Sequence, residues 1–118
     1  MMRLIFVLAI VLLPGAGLAE MTAAALKKDL DLVDTEEMAP EEGPHLLLAA
    51  GFVQGAGEMG NRFLFCLPVD FTNAQLVGVV RSFLQDSPQR WREPAINLVR
   101  DALMTDFPCS SGERGRTQ

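Results

Sequence analysis

Of 118 residues only one is a histidine and two are cysteines, so the side chains that most enzyme chemistry needs are nearly missing. A zinc site takes about three protein ligands of the right type, which His45, Cys66 and Cys109 do not supply if the cysteines are bridged. There is no C-x-x-C motif. The acidic pairs Glu36-Glu37 and Glu41-Glu42 lack the twelve-residue loop and ligand spacing of a calcium site, and read as solvated charge. The glycine-rich stretch 51–57 has no Lys-Ser/Thr after it and no strand before it, so it is not a phosphate loop. Ser110, Ser111 and Gly112 have no base beside them. These gaps leave no catalytic residue, no metal site and no cofactor, and the chain reads as a protein that is not an enzyme.

Three further absences narrow the class. No segment alternates apolar and polar residues with the period of two that marks a strand. From residue 43 onward seven acids meet seven bases, so no basic face exists to displace counterions from phosphates. Nucleic acid is therefore not an expected partner, and an anionic membrane surface is disfavoured for the same reason. Residues 20–42, where eight acids face only Lys27 and Lys28, carry −6, and Arg3 brings the chain to its net charge of −5. The longest apolar run has ten residues, 4–13, giving roughly 15 Å of helix, about half a bilayer core.

That run identifies the start of the chain. Met1 and Arg3 precede it, Pro14 and Gly15 break it, and Gly17-Leu18-Ala19 presents small residues for cleavage. This is the pattern of a secretory signal peptide spanning 1–19, and it predicts a periplasmic protein that begins near Glu20 and keeps no membrane anchor. The remaining 99 residues suffice for one small domain, whose thin core gains from a covalent staple. In an exported protein Cys66 and Cys109 most simply form one disulfide, with a redox-active or metal-binding pair as the alternative. Closing a loop of about 44 residues stabilises by roughly 4 kcal/mol in the chain-entropy picture.

Residues 20–43 read as an acidic segment and linker, with a short helix over 22–33 carrying Leu26, Leu30 and Val33. Residues 20–42 are expected to be dispensable for folding of the helical core. The helical domain proper is expected at 44–109, with a polar tail at 110–118. Pro44 suits a first helical turn, and Ala49, Phe52, Ala56, Met59 and Phe63 follow on one face. The glycines of this helix imply close backbone packing. Gly51 and Gly55 form a small-residue ridge, read as contact within the core or across a homodimer interface. Thr72 to Gln75 is a capping-box sequence, followed by Leu76, Val79, Val80, Phe83 and Leu84. Pro94 opens a last helix carrying Ile96, Val99, Leu103 and Phe107. The sum is an all-α bundle of three to four helices with one disulfide. Between the last two helices, Arg90, Trp91 and Arg92 are the candidate partner-binding residues, since Trp and Arg concentrate at binding hot spots. The alternative places Trp91 as a cap on the small core with both arginines in water.

Several short motifs now fall into order: Gly51-Phe52-Val53-Gln54-Gly55, Phe65-Cys66-Leu67-Pro68, and Thr72-x-x-Gln75-Leu76 running on to 79–84. Ser87-Pro88, Leu98-Val99-x-x-Ala102-Leu103 and Phe107-Pro108-Cys109 follow. In this order, with both cysteines in register, the stretch from Gly51 to Cys109 resembles the Rap/Tai family of type VI secretion amidase immunity proteins. Ala49 stands where relatives commonly carry a cysteine, and Phe52 where tyrosine is usual. The resemblance implies a small helical periplasmic protein of Gram-negative bacteria that binds a cognate peptidoglycan amidase effector, blocks its groove, and forms a homodimer in many members. The competing reading is a periplasmic structural or accessory protein of the same fold with no toxin partner.

Overall fold

The computed structural model describes residues 20–110. The segment 1–19 expected to be a signal peptide, and all but the first residue of the expected tail at 110–118, lie outside them. Among the described residues four helices pack around one core: α1 (Ala23–Leu30), α2 (Glu42–Gly60), α3 (Asn73–Gln85) and α4 (Ala95–Asp106). Short 3₁₀ turns follow α1 at Asp31–Asp34 and precede α4 at Pro88–Arg90.

Helix α1 is part of that core, which counts against the expectation that residues 20–42 could be dispensed with. Thr22 caps it, its hydroxyl accepting from the Ala25 N–H at 3.2 Å. Ala23, Leu26 and Leu30 are fully buried at spacings of three and four. The backbone locks the helix start in place: Ala23 N–H donates to Glu93 O at 2.9 Å, Ala24 N–H to Trp91 O at 3.0 Å, and Ala95 N–H to Met21 O at 2.7 Å. Val33, read as the end of the same stripe, is exposed, because the chain tightens into the 3₁₀ turn after Leu30 and changes the period.

Helix α2 turns a different face inward from the one its large residues indicate. Ala49, Val53, Gly57 and Gly60 are buried, Phe52 and Ala56 pack at the edge, and Met59 and Phe63 face out. The glycines explain the rotation. A Cβ on Gly57 would stand 2.8 Å from Leu76 Cδ2, and one on Gly60 would stand 2.5 Å from the Phe65 ring. Their missing side chains admit Leu76 and Phe65, so two positions that look blank in an apolar pattern are core positions. Gly51 and Gly55 are exposed with no atom within 4 Å of a would-be Cβ, so the expected contact within the core does not exist there. Each still costs a helix interior about 1 kcal/mol relative to alanine.

The turn leaving α2 is tightly determined. Arg62 adopts the left-handed region at φ 74°. Its N–H donates to Phe65 O at 2.7 Å, and the N–H groups of Phe63 and Leu64 both donate to Gly60 O, at 3.0 and 2.8 Å. Asn61 Oδ1 accepts from Leu67 N–H at 2.9 Å. Immediately after the turn, Cys66 is bonded to Cys109, with Cα atoms 4.9 Å apart, and Cys66 N–H donates to Phe107 O at 2.8 Å. The bridge thus fastens the end of the helical domain to the joint between α2 and α3, as the sequence indicated.

Helices α3 and α4 follow their sequence signals closely. Thr72 and Gln75 form the reciprocal capping box, at 3.2 Å from the Gln75 N–H to Thr72 Oγ1 and 2.8 Å from the Thr72 N–H to Gln75 Oε1. Leu76, Val80 and Leu84 are buried, with Val79 and Phe83 partly so. In α4, Ala95, Leu98, Val99, Ala102 and Leu103 form the inward face, while Ile96 is outside it. Phe107 packs edge-on against Phe71, their ring centroids 4.7 Å apart.

Candidate functional site

The 90–92 connection is held by three different kinds of contact. Arg90 is turned toward its own protein. Its Nε donates to Glu93 Oε2 at 2.7 Å, and its Nη2 to Glu93 Oε1 at 3.1 Å and Asp101 Oδ2 at 2.7 Å. Hydrogen bonding to Glu93 and then to Asp101 holds the guanidinium pKa above its ordinary value. The bond from Arg90 lowers the Glu93 carboxyl. At Asp101 burial pushes the carboxyl up, but bonds from Arg90 and Arg100 outweigh it and the net shift is down.

Trp91 is half-buried. Its indole N–H donates to the Leu84 carbonyl at 2.7 Å, satisfying an acceptor in the last turn of α3. Lys27 Nζ lies 5.4 Å from the ring centroid, so α1 closes over the indole from the other side. Arg92 is exposed. Of the three candidate residues, Arg90 braces α4, Trp91 ties α3 to α1, and Arg92 presents its side chain to solvent.

His45, at the start of α2, has its Nδ1 4.0 Å from Asp29 Oδ2 and is largely exposed. Both cysteines are consumed by the bridge, and among the described residues no cluster of three metal-ligating side chains occurs. A second charged brace joins α3 to the turn after α1. Arg81 Nη2 donates to Asp34 Oδ2 at 2.6 Å and its Nε to Asp31 Oδ1 at 3.3 Å, while Lys27 Nζ reaches Asp31 Oδ2 at 2.6 Å. Burial pushes the Asp31 carboxyl up, but bonds from Lys27 and Arg81 bring it below its ordinary value. Nothing in the sequence signals a pair some fifty residues apart, so this brace was not legible there.

Sequence reasoning also missed an apolar strip along the outside of α2. Leu47, Leu48 and Met59 are 75%, 70% and 81% exposed, and Phe63 in the following turn is 68% exposed. Leu64 and Ile96, at 45% and 44%, extend it toward α4 across a shallow pocket of about 180 Å³ that they line together with Met59. The signal for it was present in the composition of the helix, which has too many large apolar residues for one buried face.

A small all-α bundle stapled by one disulfide, with an apolar strip left on its surface, is the class these observations define. Within it the chain belongs to the Rap1a immunity protein family, whose model matches residues 18–109. The match covers α1 as well as the 51–109 stretch on which the motifs lie. No curated protein matches the chain. Among the described residues no helix is long and apolar enough to cross a membrane.

Proposed function

We propose that the protein is an exported immunity protein that acts in the periplasm by binding, without turnover, a peptidoglycan amidase effector of the type VI secretion system. The observation that carries this reading is the family match across the whole helical domain, from residue 18 to Cys109. Occlusion asks little of a protein chemically. It needs a rigid surface, an anchor or two, and a polar rim that excludes water. The 90–92 connection fits that requirement at one edge of the bundle. Trp91 is pre-positioned by its bond to Leu84, Arg90 by its two carboxylates, and Arg92 is free to meet a partner's acidic group. The reading includes a homodimer as the working form.

The test pairs the purified protein with an exported amidase encoded beside it. Equimolar protein is expected to stop release of cleaved peptidoglycan peptides, and calorimetry is expected to give a saturable one-to-one isotherm per protomer. Arg92→Ala, which leaves the fold untouched, is expected to weaken binding by tenfold or more if it is an anchor, about 1.4 kcal/mol. An amidase that neither binds nor loses activity at stoichiometric excess would leave the structural or accessory role in place of this one.

A further inference from the structure

We propose that the furrow between α2 and α3 is a docking surface for a basic amphipathic helix of a partner protein, one with an apolar stripe and lysine or arginine at both ends. The proposal goes beyond the amidase reading and does not rest on it, since it uses none of residues 90–92.

Two hollows that meet make up the furrow. One, of about 470 Å³, runs from Val33 and Arg81 to Gln54 and Asn73. The other, of about 200 Å³, shares Gln54 and Asn73 and continues to Asn61 and Val69. From Leu47 to Asn61 the chain advances about 21 Å at the rise of an α-helix. A partner helix of about fifteen residues spans the same distance.

The floor admits such a helix. Ala50 on α2, with Ala74 and Gly78 on α3, lines the wider hollow. A Cβ on Gly78 would meet no atom within 4 Å, so the space above α3 is open there. Packed helices stand about 8–10 Å apart, and the shorter distances need small residues at the contact. The walls are apolar and uncovered: Leu47 is 75% exposed, Val69 79% and Val33 52%. An amphipathic helix laid into a groove is held through such contacts along its apolar face.

Charge says which helix. At one end Asp34 lines the furrow, and Glu36 and Glu37 are exposed two and three residues further on, within about 11 Å of it along the chain. Against these three acids stands Arg81, itself paired with Asp31 and Asp34. At the other end Glu58 and the exposed Asp70 stand against Arg62. Both ends are net negative, and the residues lining the middle, from Ala50 to Gln54 and from Asn73 to Gly78, are uncharged. Positive ends and an apolar middle complement that pattern. A second copy of this chain does not, because pairing two furrows in either direction sets acid against acid. The furrow is also ordered before it is filled. The Thr72 capping box fixes the start of α3, Arg81 braces its later turns, and Asn61 Oδ1 accepts from Leu67 N–H at 2.9 Å. Little freedom is left to lose on binding.

The test uses the oxidised, processed chain and a dye-labelled synthetic helix about fifteen residues long, with a leucine and alanine stripe and lysines at each end. Binding is read by anisotropy up to about 1 mM protein. A control peptide carries glutamate in place of every lysine. The lysine peptide is expected to bind at least tenfold more tightly than the control, and to lose affinity as salt rises from about 50 mM to about 500 mM. Gly78→Leu is the sharp variant. It fills the open floor and is expected to weaken binding at least thirtyfold, while its better helix propensity raises the melting temperature of the free protein. A misfolded variant cannot show both signs. Glu36→Lys with Glu37→Lys is expected to weaken binding about tenfold and to flatten its salt dependence. Thr105→Leu, on the exposed side of α4, is expected to change neither. A lysine peptide that fails to bind, that binds no better than its glutamate control, or that binds Gly78→Leu as well as the original chain overturns the proposal. Self-association in sedimentation velocity that Gly78→Leu abolishes would give the furrow to a second copy and overturn it as well.

Discussion

In α1 every leucine is buried, although the segment around it carries most of the acid in the chain; in α2, the more apolar helix, Leu47, Leu48 and Met59 are mostly in water. The difference teaches that net charge says little about whether a segment packs. Helix α1 needs only three inward positions, and Ala23, Leu26 and Leu30 supply them while Ala24, Ala25 and Lys28 face away. Helix α2 contributes small residues, Ala49, Gly57 and Gly60, to the core and keeps its bulk outside. One helix is built to be enclosed by its neighbours, the other to be approached closely on its inner side alone.

The comparison is broken most severely by removing the enclosed helix. Deleting residues 20–34 is expected to abolish cooperative unfolding, and Leu30→Ala alone to cost about 2–5 kcal/mol in a urea titration. A truncated chain with an intact transition would show that α1 is an accessory. Next in size is the disulfide. Cys66→Ser with Cys109→Ser is expected to lower stability by about 4 kcal/mol, and mass spectrometry of alkylated native protein to find no free thiol in the original chain. Trp91→Phe comes third. It keeps the apolar ring but removes the donor to the Leu84 carbonyl, and is expected to cost about 1 kcal/mol by thermal melting.

Acid has a smaller effect with a defined sign. Asp31, Glu93 and Asp101 all have carboxyls lowered in the fold. Lowered groups contribute stability that is complete above the ordinary carboxylate range, near pH 4–5, and is lost as pH falls through it toward the folded values. A pH series of melts is expected to be flat between pH 6 and 8 in this respect and to decline below about pH 4.5, with Arg81→Met removing only its share of the part owed to Asp31, since Lys27 still holds that carboxylate. The smallest change is expected from Leu48→Lys in the dilute monomer, within about 0.5 kcal/mol, because nothing packs on that side chain within one copy.

What could be read from the chain was whatever is encoded locally. The capping box at Thr72 and Gln75, the breaks at Pro88 and Pro94, and the stripe through Leu76, Val80 and Leu84 depend on neighbours three or four residues away. The disulfide was legible because only two cysteines exist. The inward face of α2 was not, because a glycine contributes to a core by what it admits, and its neighbours Leu76 and Phe65 are chosen by tertiary packing. The burial of α1 was hidden by charge, and the braces at Arg81 and Arg90 by sequence distance. Of the candidate partner surface, the position of the 90–92 connection between two helices was legible, but not the direction in which each side chain points.

The backbone bonds from Ala23 and Ala24 to Glu93 and Trp91 have a consequence for the order of events in folding. Each closes about seventy residues of chain, and the partners of α1 in α3 and α4 lie nearly as far downstream. Contacts of such separation are entropically costly to bring together early and slow the folding rate of a domain this small. The helix made first therefore waits for a seat that does not exist until the last third of the chain has been made, and its arrival is expected to be a late, rate-limiting step in refolding.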